Sequence, residues 1–117
     1  MTILIVDDNA GIRRLLKRAL AKIASQIFEC SDGSQALEMY AECLPDVVLM
    51  DIKMQHLDGL AATLQLREYY PTARVVIVTD YDDDQLRTAA REAGACAYVT
   101  KQDLTGLGSI IVRSAGL

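Results

Sequence analysis

Residues 3–8 read ILIVDD, and the same design returns twice, as DVVLMD at 46–51 and VVIVTD at 75–80. Each stretch is apolar at consecutive positions and then stops in an acid or a hydroxyl. A strand that is apolar on both faces is covered on both faces, which is how a central strand of a parallel sheet reads. The polar residue at its end marks where the strand leaves the core for solvent. Three such ends can bring Asp7, Asp8, Asp51, Thr79 and Asp80 to one edge of a sheet.

The segments between these runs carry helical patterning. Asp7-Asp8-Asn9 favours a turn and a helix start, and residues 10–24 then place Ile12, Leu15, Leu16, Ala19 and Ile23 on one apolar stripe. Arg13, Arg14, Lys17 and Lys22 take the wetter positions of that helix. Gln26 to Cys30 is a short second strand in which Gln26, Phe28 and Cys30 alternate with Ile27 and Glu29, as expected near a sheet edge. Ser31-Asp32-Gly33 is a turn, and Ser34 caps a short helix through Ala41, with Leu37 and Tyr40 or Ala41 inward. Pro45 ends that unit, and Val47 to Met50 is the third strand. A helix over residues 59–69 packs through Leu60, Leu64 and Leu66. Pro71 closes the next turn before a fourth strand at 74–78. Residues 82–93 form a helix stopped by Gly94 in a left-handed cap, and residues 95–99 a fifth strand. The last helix runs from Asp103 to about Ala115. Gly106 and Gly108 each cost it about 1 kcal/mol relative to alanine, so its first turns are irregular.

Five alternating strand–helix units with no dividing linker predict one α/β domain over residues 1–117. Right-handed crossovers put helices on both faces of a doubly wound, mostly parallel sheet. Its ligand crevice lies beyond the carboxyl ends of the strands, where strand order reverses. The net charge of −4 argues against broad nucleic-acid binding by this segment. Cys30, Cys43 and Cys96 lack metal-site spacing and read as buried thiols in a reducing compartment. The chain enters a strand at once, without a basic leader, and no run approaches the roughly 20 apolar residues a membrane helix needs. A cytoplasmic protein with no membrane partner is expected.

Asp7, Asp8 and Asp51 in one crevice repel one another unless a counter-charge joins them. A hard divalent cation resolves the conflict, and Mg²⁺ takes oxygen ligands, commonly one or two carboxylates with waters and a phosphate oxygen. Consecutive side chains leave a strand in different directions, so direct ligation by both Asp7 and Asp8 does not follow. One of them can hold a metal-bound water instead. The backbone carbonyl of Lys53, just past Asp51, can supply a further oxygen. Capping of the first helix is the plainer role for Asp7 and Asp8, but it leaves the matching Asp51 unexplained. A carboxylate at Asp51 can attack phosphorus and form an acyl phosphate. Thr79 and Lys101 follow the fourth and fifth strands, so a hydroxyl and an ammonium reach the same crevice to meet phosphoryl oxygens. His56, the only histidine, lies in the loop after Asp51 and is expected to be exposed and incidental.

With these residues in place, the chain resembles the receiver domains of two-component response regulators over essentially its full length. The matching segments are ILIVDD at 3–8, DVVLMDIKM at 46–54, LDG at 57–59, VVIVT at 75–79 and GACAYVTK at 94–101. The resemblance implies a flavodoxin-like fold with strand order 2-1-3-4-5. It implies Asp51 as phosphoacceptor, Asp7 and Asp8 as the acidic Mg²⁺ pair, Thr79 as the switching hydroxyl and Lys101 as the phosphate-contacting lysine. Tyr98 matches the aromatic that reorients when such a domain switches. The implied partner is a sensor histidine kinase or phosphotransfer protein. The face made by the fourth helix, fifth strand and fifth helix would change its affinity for a partner or for a second copy.

Three positions depart from the family pattern. Gln55 stands where proline is usual, which loosens the loop after Asp51. Gln102 replaces a proline after Lys101, and Lys101-Gln102-Asp103-Leu104 is similar to the branch joined to helix-turn-helix DNA-binding output domains. Asp80 adds a charge beside Thr79 that can repel a phosphodonor or point away from it. A degenerate receiver, binding a partner or dimerising without phosphorylation, is the alternative that Asp80 and Gln55 support. A reactive-aspartate phosphatase would want an acid two residues past the nucleophile, where Lys53 stands. A flavin module would want a hydroxyl-rich phosphate loop after the first strand.

Overall fold

The computed structural model describes residues 1–54 and 56–116. Gln55, one of the three departures, lies outside the described residues. The chain runs β1 (Thr2–Val6), α1 (Ala10–Ala19), β2 (Gln26–Cys30), a 3₁₀ turn (Gly33–Gln35), α2 (Ala36–Cys43), β3 (Val47–Met50), α3 (Gly59–Tyr69), β4 (Val75–Thr79), α4 (Asp84–Ala93), β5 (Ala97–Thr100) and α5 (Leu107–Ser114). All four strand pairings are parallel, and the sheet order is β2-β1-β3-β4-β5. This is the expected doubly wound, flavodoxin-like sheet.

The unbroken apolar runs are explained by their two faces. Leu4, Val6, Val48, Met50, Val75 and Ile77 face the side covered by α2, α3 and α4, where Tyr40, Ala62, Leu66 and Ala90 pack. Their neighbours Ile3, Ile5, Val47, Leu49, Val76 and Val78 face α1 and α5, against Leu16, Leu20, Leu107 and Ile111. Successive strand residues point to opposite faces, so a strand covered twice needs apolar groups at every position. β2 lies at one edge, as expected, and exposes Gln26 and Glu29.

Several local expectations are corrected. Helix α1 stops at Ala19 rather than Ala24, because the Ser25 amide bonds Met1 O at 2.8 Å and draws the chain off the helix axis into β2. Its buried stripe therefore runs through Leu16 and Leu20, with Ile12 and Ile23 packed beside them, while Leu15 is 47% exposed. Leu64 of α3 also faces solvent, and Leu66 takes the core. Asp32, not Ser34, caps the turn before α2, and Ala41 is exposed. Helix α4 starts at Asp84 because Asp83 caps it by accepting from the Leu86 amide at 2.9 Å. Helix α5 starts at Leu107, after Gly106 turns through the left-handed region at φ 75°. β4 and β5 begin one and two residues later than the pattern suggested. Of the cysteines, only Cys30 is buried, and Cys96 is exposed; all three are free thiols. Among the described residues no helix is long and apolar enough to cross a membrane.

Candidate functional site

The ladder continues past the strand ends and aligns the polar tips. The Asp7 amide bonds Cys30 O at 3.1 Å, the Asp51 amide bonds Val6 O at 2.9 Å, and the Lys101 amide bonds Thr79 O at 2.7 Å. Strand pairing thus carries β1, β3, β4 and β5 into one rim at their carboxyl ends, where open α/β sheets bind ligands. Glycine fits the loop beneath it: a Cβ on Gly59 would sit 1.8 Å from Asp51 O. Close approach of α3 to the end of β3 therefore requires the bare backbone.

Asp7, Asp8 and Asp51 meet as expected. One carboxylate oxygen from each lies within 4.8 Å of the others, with Asp7 and Asp51 buried and Asp8 exposed. Lys101 reaches in from the end of β5. Its Nζ is 2.9 Å from Asp7 Oδ2 and 3.3 Å from Asp51 Oδ1, with its side chain only 7% exposed. Burial raises the Asp51 pKa, the neighbouring Asp7 charge raises it further, and Lys101 offsets only part, leaving it at about 6. Burial opposes the charged form of Lys101, but the hydrogen bond to Asp7 and the two carboxylate charges win, so its pKa is raised. The one ammonium pairs with two of the three clustered carboxylates, Asp7 and Asp51. The donor set is hard oxygen and still in excess of negative charge, which fits a divalent cation such as Mg²⁺.

Thr79 is fully buried, and its Oγ1 accepts from the Tyr81 amide at 3.4 Å. Asp80 is exposed and is not among the carboxylates that converge. Lys53 is exposed, with its ammonium 5.8 Å from the centre of the Tyr81 ring. Tyr98 points its hydroxyl to Tyr81 O at 2.6 Å, and the Arg87 guanidinium covers its ring at 4.6 Å. Tyr81 therefore links Thr79 to Tyr98 through its amide and carbonyl, a connection that no local sequence pattern records.

Sequence reasoning also passed over Asp32. Asp32 is more than a turn residue: it is 7% exposed and ties two loops together. Oδ1 accepts from the Ser34 amide at 2.8 Å and the Leu57 amide at 3.3 Å, and Oδ2 from the His56 amide at 3.0 Å. The His56 ring places Nδ1 2.8 Å from the same Oδ2, while its side chain stays 75% exposed. These donors, the Ser34 amide foremost, hold the Asp32 carboxyl well below the usual carboxylate range despite burial. His56 is thus exposed, as expected, and it has a partner. The triplet Ser31-Asp32-Gly33 was the only available signal, since Gly33 packs where a Cβ would lie 2.3 Å from Leu57 O.

A parallel five-stranded sheet with three acids and a lysine gathered at its carboxyl edge defines a receiver-type domain. Residues 3–110 match the family described as response regulator receiver domain. The chain is 37% identical over 116 residues to Regulatory protein AtoC of Escherichia coli, covering 98% of this chain and 25% of that one. It is 36% identical to Chemotaxis protein CheY of Halobacterium salinarum, covering 85% of this chain and 82% of that one. It is 41% identical to Response regulator GacA of Pseudomonas aeruginosa, covering 85% of this chain and 47% of that one. The chain thus spans a quarter to a half of some curated relatives and most of another. Among solved structures, the response regulator domain of Thermotoga maritima CheB superposes with a TM-score of 0.90 at 27% identity, covering 100% of this chain and 97% of that one. The chain belongs to the response regulator receiver family.

Proposed function

We propose that this receiver takes a phosphoryl group onto Asp51 from a histidine kinase or phosphotransfer protein. The observation that carries the reading is the buried Asp51 carboxylate, packed against Asp7 and bridged to it by Lys101. An Asp51 oxygen attacks phosphorus, the phosphorus–nitrogen bond to the donor imidazole breaks, and the nitrogen keeps the electron pair. Lys101 shifts from carboxylate to phosphoryl oxygen as that charge develops. Asp7, Asp8, Asp51 and the Lys53 carbonyl would hold Mg²⁺, which when bound supplies positive charge against the carboxylates and phosphoryl oxygens. Water later attacks the acyl phosphate and restores the carboxylate.

The Thr79 hydroxyl would turn from the Tyr81 amide to the phosphoryl group, and Tyr98 would leave Tyr81 O and move into the space released. Phosphate then shifts a pre-existing balance of two arrangements, altering the α4–β5–α5 face used for a partner or a second copy. Residues 1–117 act as one receiver domain, in a cytoplasmic system, with any DNA-binding output domain lying outside this segment. Incubation with Mg²⁺ and acetyl phosphate tests the reading. One phosphoryl mass increment, stable to acid and labile to base, is expected on the parent chain and not on Asp51→Asn. No increment under conditions that label a control receiver sinks the proposal in favour of a phosphorylation-independent binding module.

A further inference from the structure

A groove of about 370 Å³ opens beside the acidic rim, lined by Asp8, Ser31, Asp32, Ser34, Gln35 and His56. The loops that follow β1, β2 and β3 each supply part of it. Among the described residues no lysine or arginine lines it. Asp8 and His56 are exposed, and Asp32 is buried. The phosphoacceptor chemistry proposed above gives His56 no task.

The Asp32 carboxylate is fully used. The Ser34 and Leu57 amides occupy Oδ1, and the His56 amide and ring occupy Oδ2. A carboxylate has about four lone-pair positions, so Asp32 keeps none for a ligand of its own. It does set the tautomer of His56. Its donors hold it well below the usual carboxylate range, so at neutral pH it is ionised and offers only acceptors. Nδ1, 2.8 Å from Oδ2, must therefore carry a proton. In the neutral ring the free lone pair then belongs to Nε2, and the side chain is 75% exposed. Closing the loop explains the three amides. It does not explain a ring turned onto an oxygen that already has an amide. Metal-binding histidines are held in this way, with a carboxylate behind the nitrogen that does not ligate.

We infer that His56 Nε2 and the Asp8 carboxylate hold a borderline divalent cation such as Zn²⁺ in this groove, with water completing its shell. Imidazole suits such ions, whereas Mg²⁺ keeps to oxygen donors. The all-oxygen cluster of Asp7, Asp8 and Asp51 and the nitrogen-bearing groove therefore favour different metals while sharing one carboxylate. A cation here ties the loop after β3 to the loop after β1, adding to the link that Asp32 makes between the loops after β2 and β3. The site does not require phosphorylation at Asp51.

His56 is the only histidine, so the imidazole nitrogen signals of the whole chain report on it alone. At about pH 8, where an ordinary imidazole is neutral, nuclear magnetic resonance should find the proton on Nδ1 before any metal is added. Titration with Zn²⁺ in Mg²⁺-free buffer should then shift Nε2 and leave Nδ1 protonated. Zinc taken up by a cysteine thiol would move neither. Asp8→Ala should weaken the binding read at Nε2 by about tenfold or more, since one of two protein ligands is lost. Asp32→Asn, whose amide can donate to Nδ1 and drive the proton to Nε2, should weaken it by about tenfold. Glu68→Ala, which removes an exposed acid near the end of α3, should leave it unchanged. Amide spectra check that each variant folds, and if Asp32→Asn loosens its loop the Asp8→Ala comparison decides. A proton on Nε2 in the parent, or an Nε2 signal that ignores zinc, overturns the inference. So does equal binding in Asp8→Ala, which would leave only an adventitious contact of one exposed histidine.

Discussion

Asp51 and Asp32 are both buried aspartates that follow a strand on the carboxyl side of the sheet, and their surroundings push them in opposite directions. Asp32 is met by three backbone amides and a histidine ring, and its carboxyl is held ionised far into acid. Asp51 is met by another carboxylate and a shared ammonium, and its pKa rises to about 6. Backbone amides are fixed dipoles that stabilise an anion and have no competing partner. Lys101 is divided between two acids, so neither is fully compensated. The satisfied acid holds loops in place; the unsatisfied one stores the repulsion that a cation or a phosphoryl donor can relieve.

The strongest way to break that contrast is to remove the shared ammonium. Lys101→Ala should slow acetyl-phosphate labelling of Asp51 about 100-fold, the scale of losing one positioned charge. An initial rate by mass spectrometry within a few-fold of the parent would refute a phosphoryl-facing role for Lys101.

Removing the repulsion at its source comes next. In metal-free protein, Asp51→Asn should add about 1–3 kcal/mol of stability at neutral pH. The sign follows from the folded-state pKa lying above the unfolded value. The favourable contribution of Asp51 is complete below its ordinary value of 3.8 and is lost as pH rises through about 6. Urea melts at several pH values should therefore show the gap between parent and Asp51→Asn opening across that window. Parallel profiles would show that Asp51 is not strained.

Asp32 should behave in the reverse sense, since its folded-state pKa is depressed. Its contribution is present above the ordinary aspartate value and fades as pH falls below it. Asp32→Ala should speed hydrogen exchange at the Ser34, His56 and Leu57 amides by about tenfold or more, with Asp32→Asn intermediate because one oxygen acceptor survives. Unchanged exchange at His56 and Leu57 would mean that other contacts hold this loop. The smallest effect is expected at Asp80. Its exposed charge is screened and stands outside the cluster, so Asp80→Ala should change the labelling rate by less than about threefold.

Much of this was legible in the chain because strong, local patterns carried it. Apolar runs ending in Asp7, Asp51 and Thr79 announced buried parallel strands, and α/β topology then brought their tips together. What stayed hidden was decided by competition between similar groups. Helix α3 has leucines at 60, 64 and 66, and only the sheet's position buries Leu66 and leaves Leu64 outside. Cys96 looked like an apolar thiol, but it sits where the edge strand meets solvent. Asp32 looked like any turn residue because its partners His56 and Leu57 lie more than twenty positions away.

By itself, the sequence determined the strand–helix alternation, the sheet edge that gathers oxygen donors, and the identity of three acids and a lysine there. These follow from hydrophobic periodicity and chain connectivity, which depend on residue order. Only the tertiary structure decided which acid is content and which is strained, because pKa values answer to distances across space. It also decided that Arg67 of α3, Arg74 just before β4, Arg87 and Arg91 of α4 and Arg113 of α5 converge around the start of the edge strand β5, a consequence of packing that no local pattern records.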